Sequence, residues 1–167
     1  MFTGVMDYEP NEDAMVYFIQ EVFDKVAEKC PEVTLYIVGK NPTDKLKKLV
    51  INRKNIIVTG KVDSVFSYIK SSTIYISPLR IGSGKKNKII EAISCGTPLI
   101  ASTVSMEGFE DIEDKNLILR ADSSNEWVEN ICKLLSDEEK RIDIKKRMFN
   151  LLDESYSWKN IAKKLVE

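Results

Sequence analysis

The stretch 77-SPLRIGSGKKNKIIEAISCGTPLIAS-102 sets the reading of the whole chain. It leads from the apolar run Thr73-Ile74-Tyr75-Ile76-Ser77 through a Pro/Gly loop into a helix expected from about Lys86 to Cys95. A Gly96-Thr97-Pro98 turn then opens a second apolar strand. The joint is unusual, because Arg80, Lys85, Lys86 and Lys88 all precede the first acid, Glu91. Unpaired N–H groups and the macrodipole already make a helix N-terminus positive, so each added cation is unfavourable by roughly 0.3–1 kcal/mol. Two readings fit this pattern. A bound anion would offset the repulsion, with Gly82 and Gly84 letting the backbone approach it. A solvated basic loop, whose glycines only make the turn, has the same composition.

Bulk properties narrow the chemistry. A chain of 167 residues fits one domain, 1–167, large enough for a single core without covalent staples. Lys+Arg 25 against Asp+Glu 26 argues against a whole-surface role on nucleic acid or a membrane, so the basic cluster is local. The absence of histidine removes Ser-His-Asp and Cys-His nucleophiles and the usual zinc sites. Cys30, Cys95 and Cys132, odd in number and distant in sequence, read as buried reduced thiols of a cytosolic protein. No run approaches the roughly 18 apolar residues needed to span a bilayer, and no signal peptide is written at the start. The chain opens inside a strand, and a truncated or stand-alone piece of a larger enzyme is expected.

Taken in order, Phe2 to Gly4 reads as a strand and Asn11 as the N-cap of a helix carrying Met15, Phe18, Ile19, Val22, Phe23 and Val26 to about Lys29. Val33–Val38 and Asn55–Thr59 are apolar strands closed by Gly39 and Gly60, with a lysine-rich helix between Pro42 and Ile51. Asp63 or Ser64 caps a helix with Val65, Phe66 and Ile69, and Asn116–Leu119 is the last strand. Capping-box spacing at Ser123/Glu126 and Ser136/Glu139 starts two helices. The first buries Trp127, Ile131 and Leu134; the second is expected to bury Ile142, Lys145, Phe149 and Leu152. Ser157 caps a final helix with Trp158 and Ile161 on its apolar face.

Six apolar strands separated by helices imply an α/β fold, a doubly wound six-stranded parallel sheet of Rossmann-like order 3-2-1-4-5-6. The crevice then lies between the first and fourth strands. Its two flanking loops are Gly4–Asn11 and Leu79–Lys88, so the basic joint falls at the topological switch point.

Several segments, in order, resemble one family. Phe2-Thr3-Gly4, Tyr36-Ile37-Val38-Gly39, Val58-Thr59-Gly60-Lys61-Val62, Ser77–Gly84, Lys88-Ile89-Ile90-Glu91-Ala92, Cys95-Gly96-Thr97-Pro98 and Tyr156-Ser157-Trp158 are similar to the C-terminal, donor-binding half of GT-B glycosyltransferases of family 4, the group 1 glycosyltransferases. The block Pro78–Pro98 is the specific part; a lone GxG is weak.

The resemblance implies a nucleoside-diphosphate sugar, with UDP-hexose favoured, and a retaining transfer to a glycan or lipid-linked acceptor. It implies that Glu91 accepts both ribose hydroxyls, since two neighbouring O–H donors suit one bidentate acceptor. Lys85, Lys86 and Lys88 would neutralise the diphosphate, Lys86 and Lys88 being favoured as the catalytic pair. Arg80, Gly82, Ser83, Gly84 and Asn87 complete the cradle, and Gly4 lets the opposite loop close on it. Val62 is similar in position to residues that pack on the base. No metal or other cofactor is implied, because cations already occupy that role. The resemblance also implies a cytoplasmic location, at the inner membrane face only through an acceptor-binding half absent from this chain.

The sequence departs from the family pattern in two further places. Ser83 stands where many members carry a second glutamate, and Met6 and Asn11 occupy the region of a common Arg/Lys pair. A catalytically inactive nucleotide-sugar-binding module is therefore the alternative. An epimerase fits less well for want of further acid/base groups, and a dinucleotide oxidoreductase less still, since no GxGxxG follows the first strand.

Overall fold

The computed structural model describes residues 1–109, 112 and 117–155. Apolar runs that are buried on both faces pair in parallel, because helical crossovers cover each side. Strands β1 (Phe2–Thr3), β2 (Leu35–Val38) and β3 (Ile56–Gly60) form one ladder, with Phe2 opposite Ile37 and Leu35 opposite Ile56. Strands β4 (Tyr75–Ser77), β5 (Leu99–Ala101) and β6 (Ile118–Arg120) form a second, with Ile76 opposite Ile100 and Leu99 opposite Ile118.

The expected continuous sheet is thus two three-stranded ladders, β1-β2-β3 and β4-β5-β6. They meet along Met1, whose nitrogen donates to Ile74 O at 2.7 Å and whose carbonyl accepts from Ile76 N at 2.9 Å. Read across that seam the order is 3-2-1-4-5-6, so β1 and β4 stand side by side. The strands are shorter than their apolar runs: Gly4 and Thr34 lie outside the ladders.

Helices α1 (Glu9–Phe18) and α2 (Asp24–Lys29) are joined by a π-helical segment, Ile19–Phe23. The wider turn sits within a continuous buried stretch, Phe18, Ile19, Val22 and Phe23. Helix α3 (Asp44–Val50) is capped by Thr43, which accepts from Leu46 N, and α4 (Val65–Ser71) by Ser64, which accepts from Ser67 N. Helix α5 (Asn87–Ser94) follows the basic loop.

Helix α6 (Ser124–Ser136) begins with the expected capping box of Ser123 and Glu126. Its Trp127 meets Phe18 edge-on with centroids 5.8 Å apart, locking α1 to α6. Helix α7 (Glu138–Ser155) corrects the sequence reading twice. Asp137, not Ser136, caps it, accepting from Lys140 N at 2.8 Å. Its buried face is Ile144, Met148 and Leu151, while Ile142 is 61% exposed. Phe149 instead lies on Gly96, where an added Cβ would stand 2.7 Å from its ring.

Cys30 and Cys132, distant in sequence, have sulfurs 3.7 Å apart, and Cys95 is buried separately. The expected helix at Ser157–Ile161 lies outside the described residues. Among the described residues no helix is long and apolar enough to cross a membrane.

Candidate functional site

Parallel strands deliver their C-terminal ends to one edge, and there a cleft of about 520 Å³ opens. Gly4 and Val5 follow β1, Gly39 follows β2, Lys61 and Val62 follow β3, and Glu91 of α5 closes the wall. Backbone alone makes its floor. Gly4 N donates to Val38 O at 3.0 Å and Gly39 N to Gly60 O at 3.2 Å. Gly39 has φ +147°, and a Cβ there would stand 1.8 Å from Gly4 O, so no side chain can enter. The Glu91 carboxylate has no hydrogen bond or ion pair among the described residues.

One turn before Glu91 on α5, Lys88 points across the β1/β4 seam. Its Nζ donates to Asn11 Oδ1 at 2.7 Å and lies 4.1 Å from the centre of the Phe2 ring. Asn11 is held in turn by its Nδ2 donating to Val5 O at 2.9 Å. Both partners of the ammonium are neutral. Burial therefore pulls the Lys88 pKa down to about 7, Glu91 opposing and the charge on Lys86 assisting.

The expected cap role of Asn11 is corrected here. The helix starts at Glu9 with Pro10 in its first turn and Tyr8 at the cap position, which puts Asn11 inside, buried. Gly4 has a local reason to lack a side chain: a Cβ on it would stand 2.6 Å from Asn11 Nδ2.

The glycine-rich loop leaves β4 from a buried knot of hydroxyls. Ser105 Oγ donates to Ser77 O at 2.6 Å, Ser102 Oγ to Leu79 O at 2.5 Å, and Leu79 N to Ser105 Oγ at 3.3 Å. Beyond the knot Arg80 turns away from the cleft. It donates twice to Asp13, at 2.9 and 2.5 Å, and stacks 4.7 Å over Tyr17, so it straps the loop to α1. The hydrogen bonds to Asp13 push the Arg80 pKa up.

The tip turns at Gly82 and Gly84, with φ +114° and +73°. Ser83, Lys85 and Asn87 are exposed around it. Lys86 donates to Gly84 O and lies 3.7 Å from Glu107, whose Oε2 also accepts from Gly84 N at 2.9 Å. Lys85 sits 5.5 Å from the Phe109 ring centre.

Of the residues singled out in the sequence, Gly4, Lys88, Glu91 and Val62 thus gather at the cleft, Lys86 borders it, and Arg80 and Lys85 are engaged elsewhere. Sequence reasoning gave no part to Glu107. The available signal was its Glu-Gly pair in the loop after β5, which shares a sheet edge with the basic loop. A second cavity, about 300 Å³, lies at the opposite strand ends among Phe18, Leu35, Ile74 and Ile131, without converging charge. Among the described residues no three His, Cys, Asp or Glu cluster closely enough to hold a metal ion.

Comparison with known proteins agrees with this architecture. Glycosyltransferase MJ1069 of Methanocaldococcus jannaschii, itself uncharacterized, is 32% identical over 140 residues, 79% of this chain and 35% of that protein. An uncharacterized 44.6 kDa protein in the cps region of Klebsiella pneumoniae is 22% identical over 129 residues, 73% of this chain and 33% of its own length. The chain therefore spans about a third of these curated relatives. Among solved structures, S. aureus TarM, crystallised with Fondaparinux, alpha-GlcNAc-glycerol and UDP, superposes with a TM-score of 0.81 at 18% identity, over 99% of this chain and 34% of TarM. Anabaena HepE in complex with UDP gives 0.78 at 15% identity, over 99% of this chain and 47% of HepE. Residues 1–137 match the model of the glycosyl transferases group 1 family, to which this chain belongs, with the Rossmann-like architecture of a GT-B domain.

Proposed function

We propose that this chain is the donor-binding domain of a retaining glycosyltransferase, holding a UDP-hexose for transfer to a glycan or lipid-linked acceptor. The observation that carries this reading is the unpartnered Glu91 carboxylate on the cleft wall, one helical turn from a Lys88 ammonium that has only neutral partners. A ribose would give Glu91 its two missing O–H donors. The diphosphate would lie toward Lys88, Lys86 and the N–H groups of Ser83–Asn87, at the start of α5. Val62 would pack on the base, and Arg80 would hold the loop at its correct distance.

As the sugar–phosphate bond breaks, negative charge grows on the leaving diphosphate. Lys88 and the helix N-terminus would stabilise it more than they stabilise the bound donor, which is what lowers a barrier. We assign no metal or other cofactor to this step. The acceptor belongs to a second half outside this chain, and water exclusion between the halves would be needed for transfer. The chain alone is therefore expected to bind donor and turn over poorly. The printed complexes of TarM and HepE with UDP support the nucleotide.

A second reading, a binding module without catalysis, is favoured by one observation: Ser83 is exposed and brings no carboxylate to the cleft. Titration calorimetry with UDP tests donor binding. Binding is expected, weakened about ten- to a hundredfold by Glu91→Ala through loss of charge-assisted hydrogen bonds. Pyrophosphate should lose little. Absence of UDP binding at millimolar concentration, or indifference to Glu91→Ala, would overturn the assignment.

A further inference from the structure

The proposed diphosphate cradle holds an anion of the protein's own. Gly84 N donates to Glu107 Oε2 at 2.9 Å, and Lys86 Nζ lies 3.7 Å from the same oxygen. These are two of the donors assigned above to the diphosphate. The Lys86 side chain is only 11% exposed, so its charge is fixed in place, whereas that of Glu107 is 55% exposed and can leave.

The turn bearing Glu107 is anchored on both sides. Met106 and Phe109 are buried, and Phe109 N donates to Met106 O at 2.9 Å. The stem of Lys85 packs against Gly108, where an added Cβ would stand 2.8 Å from Lys85 Cγ. The carboxylate is therefore presented to the loop from a fixed base. Its contacts are one N–H and one cation, a single-oxygen version of what a phosphate group receives at such loops.

We propose that Glu107 is an exchangeable internal anion: it occupies the N–H of Gly84 and the ammonium of Lys86 when donor is absent, and is displaced by the diphosphate. The proposal rests on the donor-binding reading of the same site. A half-exposed carboxylate held by two contacts is weak enough for a doubly charged, multidentate ligand to replace. It keeps the loop ordered between donors, and it competes with the product for the same donors, which favours release.

The test compares the 167-residue chain with its Glu107→Gln variant, which keeps an acceptor oxygen for Gly84 and removes the charge. UDP should bind roughly two- to tenfold more tightly to the variant, with a gain that shrinks as salt rises. The Gly84 amide resonance should differ between the two proteins without ligand and converge when both are saturated with UDP. Equal or weaker UDP binding by the variant, or a Gly84 difference that persists at saturation, would make Glu107 a structural brace and overturn the proposal. If neither protein binds UDP or pyrophosphate, the donor-binding reading falls first and this inference with it.

Discussion

Lys86 and Lys88 lie two residues apart at the start of one helix, yet their charges meet different surroundings. Lys86 has a carboxylate within 3.7 Å, whereas Lys88 has an amide oxygen and an aromatic face. The first is already compensated. The second is a desolvated cation without an anionic contact, and its lowered pKa is the measure of what a bound phosphate would supply. Sequence position alone does not distinguish the two lysines; the elements folded against them do.

The strongest way to break this contrast is Lys88→Met. UDP affinity should fall about thirty- to a hundredfold, as expected for loss of a charge-assisted contact in a partly buried site. Thermal unfolding should show no loss of stability, because an apolar side chain over Phe2 replaces a cation that burial disfavours. Calorimetry and a melting curve together separate this outcome from misfolding.

A smaller effect sharpens the same point through pH. The folded Lys88 pKa, about 7, lies below its ordinary 10.5, so between those values the unfolded chain holds more protons than the folded one. This group therefore makes stability rise with pH across that window. Binding has the opposite sign: a diphosphate restores the proton, so UDP affinity should fall as pH climbs from about 7 toward 9. Calorimetry at pH 7.5 in buffers of different ionisation enthalpy should show net proton uptake, abolished in Lys88→Met.

The least effect is expected at the strap. Asp13→Asn frees Arg80 from a partly exposed bidentate pair and should cost about 0.5–1 kcal/mol of stability by denaturant titration, with less than about a threefold change in UDP affinity. A larger loss of affinity would place Arg80 in the cleft rather than on α1.

Much of this was legible in the sequence because it depends on local pattern. Apolar runs alternating with helices gave the strand order, and the loops after the first and fourth strands met where that order required. Lys88 and Glu91 shared a helix face by spacing alone. What stayed hidden was long-range. Asn11 satisfies the local rule for a cap, but its side chain is taken by a lysine 77 residues away. Glu107 reaches a glycine 23 residues before it, and no spacing rule encodes that meeting. In α7 two neighbouring faces are both apolar, and packing on α5 and α6, not periodicity, chose Ile144 and Met148 over Ile142.

The knot of Ser77, Ser102 and Ser105 also sets where the cradle can flex. With three hydroxyls cross-tied beneath Leu79 and Arg80 strapped to α1, torsional freedom begins only at Gly82 and ends at Lys86. Whatever excursion the tip makes on meeting a ligand is confined to five residues that pivot on two glycines. The strand ends beneath stay a stationary platform, so the entropy lost on capture is that of a short hairpin bend rather than of a sheet edge.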